Sequence, residues 1–175
     1  YAAVRLDEFS GDGGGTWFCG LSEAATLEDI CEAVGRALRC TLAPELKRKI
    51  LIEQLGREIC NRKKILLVLD NFEQVVRLAA QTVGKWLELA PQAVFLVTSR
   101  EALNLRGEAV LELPPLPVPD AGTEISQSEA VRLFLDRAQA ARRDFAASPG
   151  NLPIIGRIVK RLDGIPLAIE LAASR

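Results

Sequence analysis

The sequence predicts an α/β fold: a parallel sheet layered with helices, followed by a small all-helical domain. Three observations carry that expectation. Ile65-Leu66-Leu67-Val68-Leu69 is an aliphatic run without alternation, ended by the polar pair Asp70-Asn71. It is strand-length and apolar on both sides, as a strand covered on both faces of a parallel sheet must be. Ala93-Val94-Phe95-Leu96-Val97 is a second such run, ended by Thr98-Ser99-Arg100, with an amphipathic helical pattern between the two. Strand, helix and strand in that spacing form a βαβ unit, which brings Asp70 and Arg100 to the same edge of the sheet. Beyond the proline cluster Pro114-Pro115-Leu116-Pro117-Val118-Pro119, only helical patterns remain.

The elements follow in order. Ala2, Ala3, Leu6 and Phe9 recur at helical spacing, as in the tail of a helix over Tyr1–Phe9. Ser10-Gly11-Asp12-Gly13-Gly14-Gly15 reads as a turn, since a phosphate-binding loop opens a helix and ends in Gly-Lys-Ser/Thr. Here strand-like Thr16-Trp17-Phe18-Cys19 follows. Thr26-Leu27-Glu28-Asp29 resembles a capping box, and Leu27, Ile30, Cys31, Val34 and Leu38 then form one buried stripe. After Pro44, Leu46, Ile50, Leu51, Leu55 and Ile59 mark a second helix feeding the Ile65 strand. Phe72, Val75, Val76, Ala79, Val83, Trp86, Leu87 and Ala90 predict one long helix closed by Pro91, and Val110-Leu111-Glu112-Leu113 a further short strand.

Prolines at this density make residues 114–120 a stiff, extended connector. The predicted organisation is therefore an α/β domain over 1–113, the connector, and a helical domain over 121–175. In the latter, Ser126 with Glu129 caps a helix carrying Val131, Phe134, Leu135, Ala138 and Phe145. Leu152, Ile155, Ile158, Val159 and Leu162 mark the next helix, stopped by Asp163-Gly164, and Pro166 opens the last.

Composition narrows the function. At 175 residues and 49% hydrophobic, the chain can bury one sizeable core plus a small appendage. A net charge of −1 gives no electrostatic footprint for nucleic acid or an anionic membrane. The clusters Lys47-Arg48-Lys49 and Arg62-Lys63-Lys64 read as solvated surface. No apolar run approaches the ~20 residues of a membrane span, and the chain reads as cytoplasmic. There is no histidine, and the four cysteines lack C-x-x-C spacing. That removes most zinc patterns and the histidine-dependent nucleophiles, and leaves the thiols as core residues of a reducing compartment. With no methionine, a first residue Tyr1 and a last apolar helical pattern running to Ser174-Arg175, the sequence reads as a piece of a longer chain.

Asp70 ends a central strand, where open α/β sheets bind their ligands. A carboxylate there can hold Mg²⁺ largely through water, or it can simply cap the next helix. Arg100 can read an anion, or pair within its own loop with Glu101 or Glu108. Pro166 is explained already as a helix opener.

Taken together, Ile65–Glu73, Leu96-Val97-Thr98-Ser99-Arg100 and Leu162-Asp163-Gly164-Ile165-Pro166-Leu167-Ala168 stand in an order and spacing that resembles the NB-ARC family of STAND signalling ATPases, in its bacterial transcriptional-regulator branch. The resemblance covers nearly the whole chain. It implies a P-loop NTPase-type sheet followed by a helical domain, with ADP or ATP and Mg²⁺ acting as a switch. It makes Asp70 the Mg²⁺-coordinating Walker B carboxylate and Asn71 its catalytic neighbour. Thr98, Ser99 and Arg100 would face the nucleotide, with Arg100 sensing the terminal phosphate. Gly164 and Pro166 would meet it from the helical domain, Pro166 on the adenine. The implied partners are the nucleotide, other domains of a larger regulator, and a second copy on activation, with neither nucleic acid nor membrane touched by this segment.

The sequence departs from the family pattern at two places. The Gly-Lys-Ser/Thr phosphate loop and the strand before it are missing, and with them most of the phosphate grip. Asn71 stands where hydrolytic relatives carry an acid, so ATP hydrolysis is expected to be slow. Two other readings remain. A Rossmann-type cofactor domain would need a G-x-G-x-x-G before a helix, which is lacking. A degenerate NTPase fold that binds only protein is separated from the switch by a nucleotide-binding measurement.

Overall fold

Three strands lie side by side and parallel: β1 (Gly15–Gly20), β2 (Ile65–Asp70) and β3 (Val94–Val97), in that spatial order. Phe18 pairs with Val68, and Val68 with Leu96. The computed structural model describes residues 14–42, 48–62, 64–120 and 124–175. The helix tail expected over Tyr1–Phe9, the turn residues Ser10–Gly13, Pro44, Leu46, Lys47, Lys63 and the boundary at Ala121 lie outside the described residues. The chain divides into two compact units, Tyr1–Val110 and Leu111–Arg175. It is a mixed α/β protein built on a small parallel sheet with helices.

In the first unit, β1 leads into α1 (Leu27–Ala37) through the expected capping box. Thr26 Oγ1 accepts the Asp29 N–H at 3.2 Å, and Asp29 Oδ2 accepts the Thr26 N–H at 2.8 Å. The stripe Leu27, Ile30, Cys31, Val34 and Leu38 is buried. In α2 (Arg48–Asn61) the buried face is Leu51, Ile52, Leu55 and Ile59, whereas Ile50, one of the apolar positions that mark the helix, is 46% exposed. Ile50 lies roughly 100° from Leu51 round the helix, on the solvent side. At the end of α2, the Arg62 guanidinium donates to Leu38 O at 2.8 Å and lies over the Trp17 ring at 5.6 Å. One side chain thus ties α1, α2 and β1 together.

The long helix expected after Asp70 is broken. A 3-10 helix covers Phe72–Leu78, with non-helical geometry at Val75, and α3 begins only at Val83. The backbone leaves helical geometry at Thr82 itself, at φ −110 and ψ −89, and Gly84 N–H reaches five residues back to Ala79 O at 2.9 Å. The buried Thr82 hydroxyl donates to Leu78 O at 2.9 Å, a back-bond of the kind that bends helices. The apolar positions still point inward: Phe72, Val75, Ala79, Val83, Trp86 and Ala90 are all buried. Trp86 anchors this layer. It stacks on Phe95 of β3 with ring centroids 6.3 Å apart, and its Nε1–H donates to Ile52 O at 3.1 Å.

β3 was expected to be covered on both faces and is not. Its exposure alternates: Phe95 and Val97 pack on the core, while Val94 and Leu96 are each 46% exposed. Right-handed crossovers that step in one direction across a sheet put all their helices on one face. The other face therefore carries Phe18, 65% exposed, beside Leu66, Val68, Val94 and Leu96. The strand expected at Val110–Leu113 is absent as well. That segment has no regular structure, and Val110, Leu111 and Leu113 are exposed.

In the second unit the proline-rich stretch is more than a spacer. Leu116 and Val118 pack against the helical core, and Leu116 N–H donates to Gly164 O at 2.9 Å. The first helix, α4 (Glu129–Ala141), follows Ser128 rather than being capped by Ser126. Ser126 turns to Glu124 instead, inside a 3-10 turn at Ile125–Gln127, and the buried Ser128 hydroxyl donates to Pro117 O at 2.8 Å. Val131, Phe134 and Ala138 of α4 close on Ile155 and Val159 of α5 (Leu152–Arg161) and on Ile169 and Ala173 of α6 (Pro166–Ala173). Proline opens α6 as expected.

Candidate functional site

The carboxyl ends of β2 and β3 are laced together. Thr98 Oγ1 donates to Asp70 Oδ1 at 2.5 Å and accepts the Asn71 N–H at 3.1 Å. Thr98 N–H reaches Leu69 O and Phe72 N–H reaches Thr98 O, both at 3.0 Å, while Leu21 N–H meets Asp70 O at 2.8 Å. These bonds fix the Asp70 carboxylate at the rim of the sheet, half-buried, with Asn71 and Thr98 exposed on either side. The chain turns sharply here. Asn71 adopts the left-handed conformation at φ 61, ψ 51, which asparagine tolerates better than most residues.

That geometry settles one alternative. Asp70 does not cap the following helix: its carboxylate bonds to Thr98, and the residue at the helix start, Asn71, makes no side-chain cap bond. Among the described residues, no three His, Cys, Asp or Glu side chains come together as a metal cluster. Mg²⁺ at Asp70 fits a single carboxylate, because it keeps most of its shell as water or phosphate oxygen. Among the described hydrogen bonds only Oδ1 is engaged, by Thr98.

Arg100 pairs with neither Glu101 nor Glu108. Glu108 accepts the backbone N–H groups of Leu103 and Leu105, and the Glu101 N–H is turned onto Ser99 Oγ at 3.2 Å. Arg100 Nε instead stands 3.6 Å from Glu73 Oε1. The guanidinium side chain is 83% exposed and the Glu73 side chain only 21%. Glu73 was not assigned from sequence. Its one signal was its position three residues after Asp70, on the turn that Asn71 sets.

In the second unit, Asp163 and Gly164 close α5 with φ of 51° and 68°. Gly164 N–H returns to Val159 O at 3.2 Å, and a Cβ on Gly164 would lie 2.1 Å from Leu116 O. Glycine is required there by the backbone itself. Pro166 is exposed at the start of α6, between Ile165 and Leu167, which are 48% and 66% exposed. A hollow of about 220 Å³ at the end of β1, with Glu23, Glu32 and Arg36 on its wall, includes none of these residues.

Comparison with known proteins finds relatives. An uncharacterized protein of Mycobacterium tuberculosis (strain H37Rv) is 35% identical over 161 residues, which is 92% of this chain and 38% of that protein. A second protein of the same strain, named "Putative HTH-type transcriptional regulator", is 37% identical over 139 residues, 79% of this chain and 15% of its own length. A shorter match, 33% over 91 residues, is to a lipase chaperone of Burkholderia cenocepacia (strain HI2424), covering 52% of this chain and 25% of that protein. The chain thus spans well under half the length of the curated relatives it matches. No family model matches the chain. No solved structure matches it. No helix among the described residues is long and apolar enough to cross a membrane.

Proposed function

We propose that the chain is part of an ATP/ADP-binding signalling switch of the NB-ARC type, carried within a larger protein that regulates transcription. The observation that carries this reading is the Thr98–Asp70 hydrogen bond, which sets a strand-end carboxylate and Arg100 on one rim of a parallel sheet. The relative named as a transcriptional regulator supports the output side.

In this reading Asp70 receives Mg²⁺, and the rim hydrogen bonds hold the carboxylate at one angle. The exposed Arg100 guanidinium meets the terminal phosphate, present in ATP and lost in ADP. Bound Mg²⁺ would neutralise phosphate charge. Asn71 can orient a water by hydrogen bond but cannot take its proton, so turnover is slow and occupancy is the signal. Gly164 keeps the α5–α6 corner tight, and the exposed Pro166 offers an apolar surface to an adenine.

The test is titration of fluorescent ADP and ATP against this chain and against the full-length protein. Micromolar, Mg²⁺-dependent ATP binding by the full-length protein, lost in Asp70→Ala, is expected. The chain by itself should bind weakly or not at all. If the full-length protein binds neither nucleotide, the second reading holds: a protein-binding scaffold, favoured by the apolar sheet face at Phe18, Val94 and Leu96.

A further inference from the structure

The geometry points to Glu73 as the residue that sets how strongly this site discriminates a triphosphate from a diphosphate, by competing for Arg100. The inference rests on the reading that Arg100 meets the terminal phosphate. The two members of the pair are unequal. Glu73 follows Phe72, which is fully buried and whose N–H is bonded to Thr98 O at 3.0 Å. Its side chain is mostly covered, 21% exposed, which leaves it less room to move than Arg100 has. Arg100 is largely in solvent, on the turn after Ser99. At 3.6 Å the contact is an ion pair beyond ordinary hydrogen-bond length. The arginine is therefore the member that moves, and little holds it except charge.

An anion that seeks the Nε edge of Arg100 has to displace this carboxylate. Phosphate oxygens can do so, since they offer the guanidinium a forked, charge-assisted contact that Glu73 does not make here. A diphosphate too short to reach Arg100 leaves the pair intact. Glu73 thus weakens ATP binding selectively, and it keeps Arg100 from unrelated anions when no third phosphate is present.

The experiment is a double-mutant cycle in the full-length protein, reading the dissociation constants of fluorescent ATP and ADP. Glu73→Gln keeps shape and removes charge. It should tighten ATP by roughly two- to fivefold, the scale of a solvent-exposed ion pair, and leave ADP unchanged. In an Arg100→Ala background the same substitution should change neither nucleotide. A second readout is the Arg100 Nε–Hε resonance of the ligand-free protein, which should move in Glu73→Gln. If Arg100→Ala leaves the ATP to ADP ratio unchanged, the sensor reading falls and this inference with it. If Arg100→Ala erodes ATP preference but Glu73→Gln alters neither ATP affinity nor the resonance, the inference alone is overturned.

Discussion

Asn71 concentrates two demands in one residue. The backbone needs the left-handed region there, and in the switch proposed above the same residue faces the water beside Asp70. Aspartate tolerates the same backbone, so Asn71→Asp tests chemistry with little strain. In the full-length protein it should raise ATP turnover, by up to the ~10²–10⁴-fold typical of a general base, measured as phosphate release at saturating ATP. An unchanged rate would remove Asn71 from the proposed role. The cysteines give a pH expectation. Burial pushes the Cys31 thiol up to about 12 and Cys19 up to about 11, from 9.0, and also raises Cys40. Thiolates, not thiols, react. At pH 8 a disulfide reagent should therefore label the exposed Cys60 fast and Cys19 and Cys31 only on unfolding. Above about pH 9 the unfolded chain releases protons that the folded chain keeps until about 11 to 12. Stability from these groups is complete below pH 9 and lost through that window, which an alkaline denaturation series would read.

Among the elements, two helix ends separate a cap from a clash. The Thr26–Asp29 box satisfies donors that water could otherwise reach. Thr26→Ala should cost about 1 kcal/mol and leave the fold intact. Gly164→Ala meets two penalties. The left-handed backbone costs roughly 1–2 kcal/mol for a residue with a Cβ, and the new methyl would sit 2.1 Å from the Leu116 carbonyl oxygen. Either the α5–α6 corner or residues 114–120 must move. The expected result is a loss well above that of Thr26→Ala, seen in urea denaturation as early exposure of the helical unit. A near-neutral Gly164→Ala would mean that the corner relaxes freely.

For the molecule as a whole, the open sheet face governs behaviour in solution. Phe18, Val94 and Leu96 present a contiguous apolar surface of the kind that marks an interaction site or an aggregation hazard. The described strands leave no gap, since β2 pairs with both β1 and β3, so the hazard at the sheet is this face. Leu96→Lys should improve solubility of the isolated chain while shifting stability by no more than about 0.5 kcal/mol, as for a surface position. Light scattering and a urea melt would check both. A large destabilisation would show that the face is already covered in solution.

The sequence by itself determined what is local. Unbroken aliphatic runs gave β2 and β3, the Thr26–Asp29 box gave the start of α1, and Asp163-Gly164-Ile165-Pro166 gave the corner between α5 and α6. Each is a short-range preference of backbone or side chain, written within a few residues. Tertiary structure decided what depends on distant partners. β3 has the composition of a doubly covered strand, but the crossovers leave one of its faces bare. Phe72–Ala90 has the period of one helix, but the backbone leaves helical geometry at Val75 and again at Thr82. Asp70 was legible as a strand-end carboxylate, whereas its Thr98 partner, 28 residues away, and the Glu73–Arg100 pair were not. Hydrogen bonds and ion pairs across such separations leave no periodicity in the sequence, and only the parallel register of β2 with β3 brings those groups within reach.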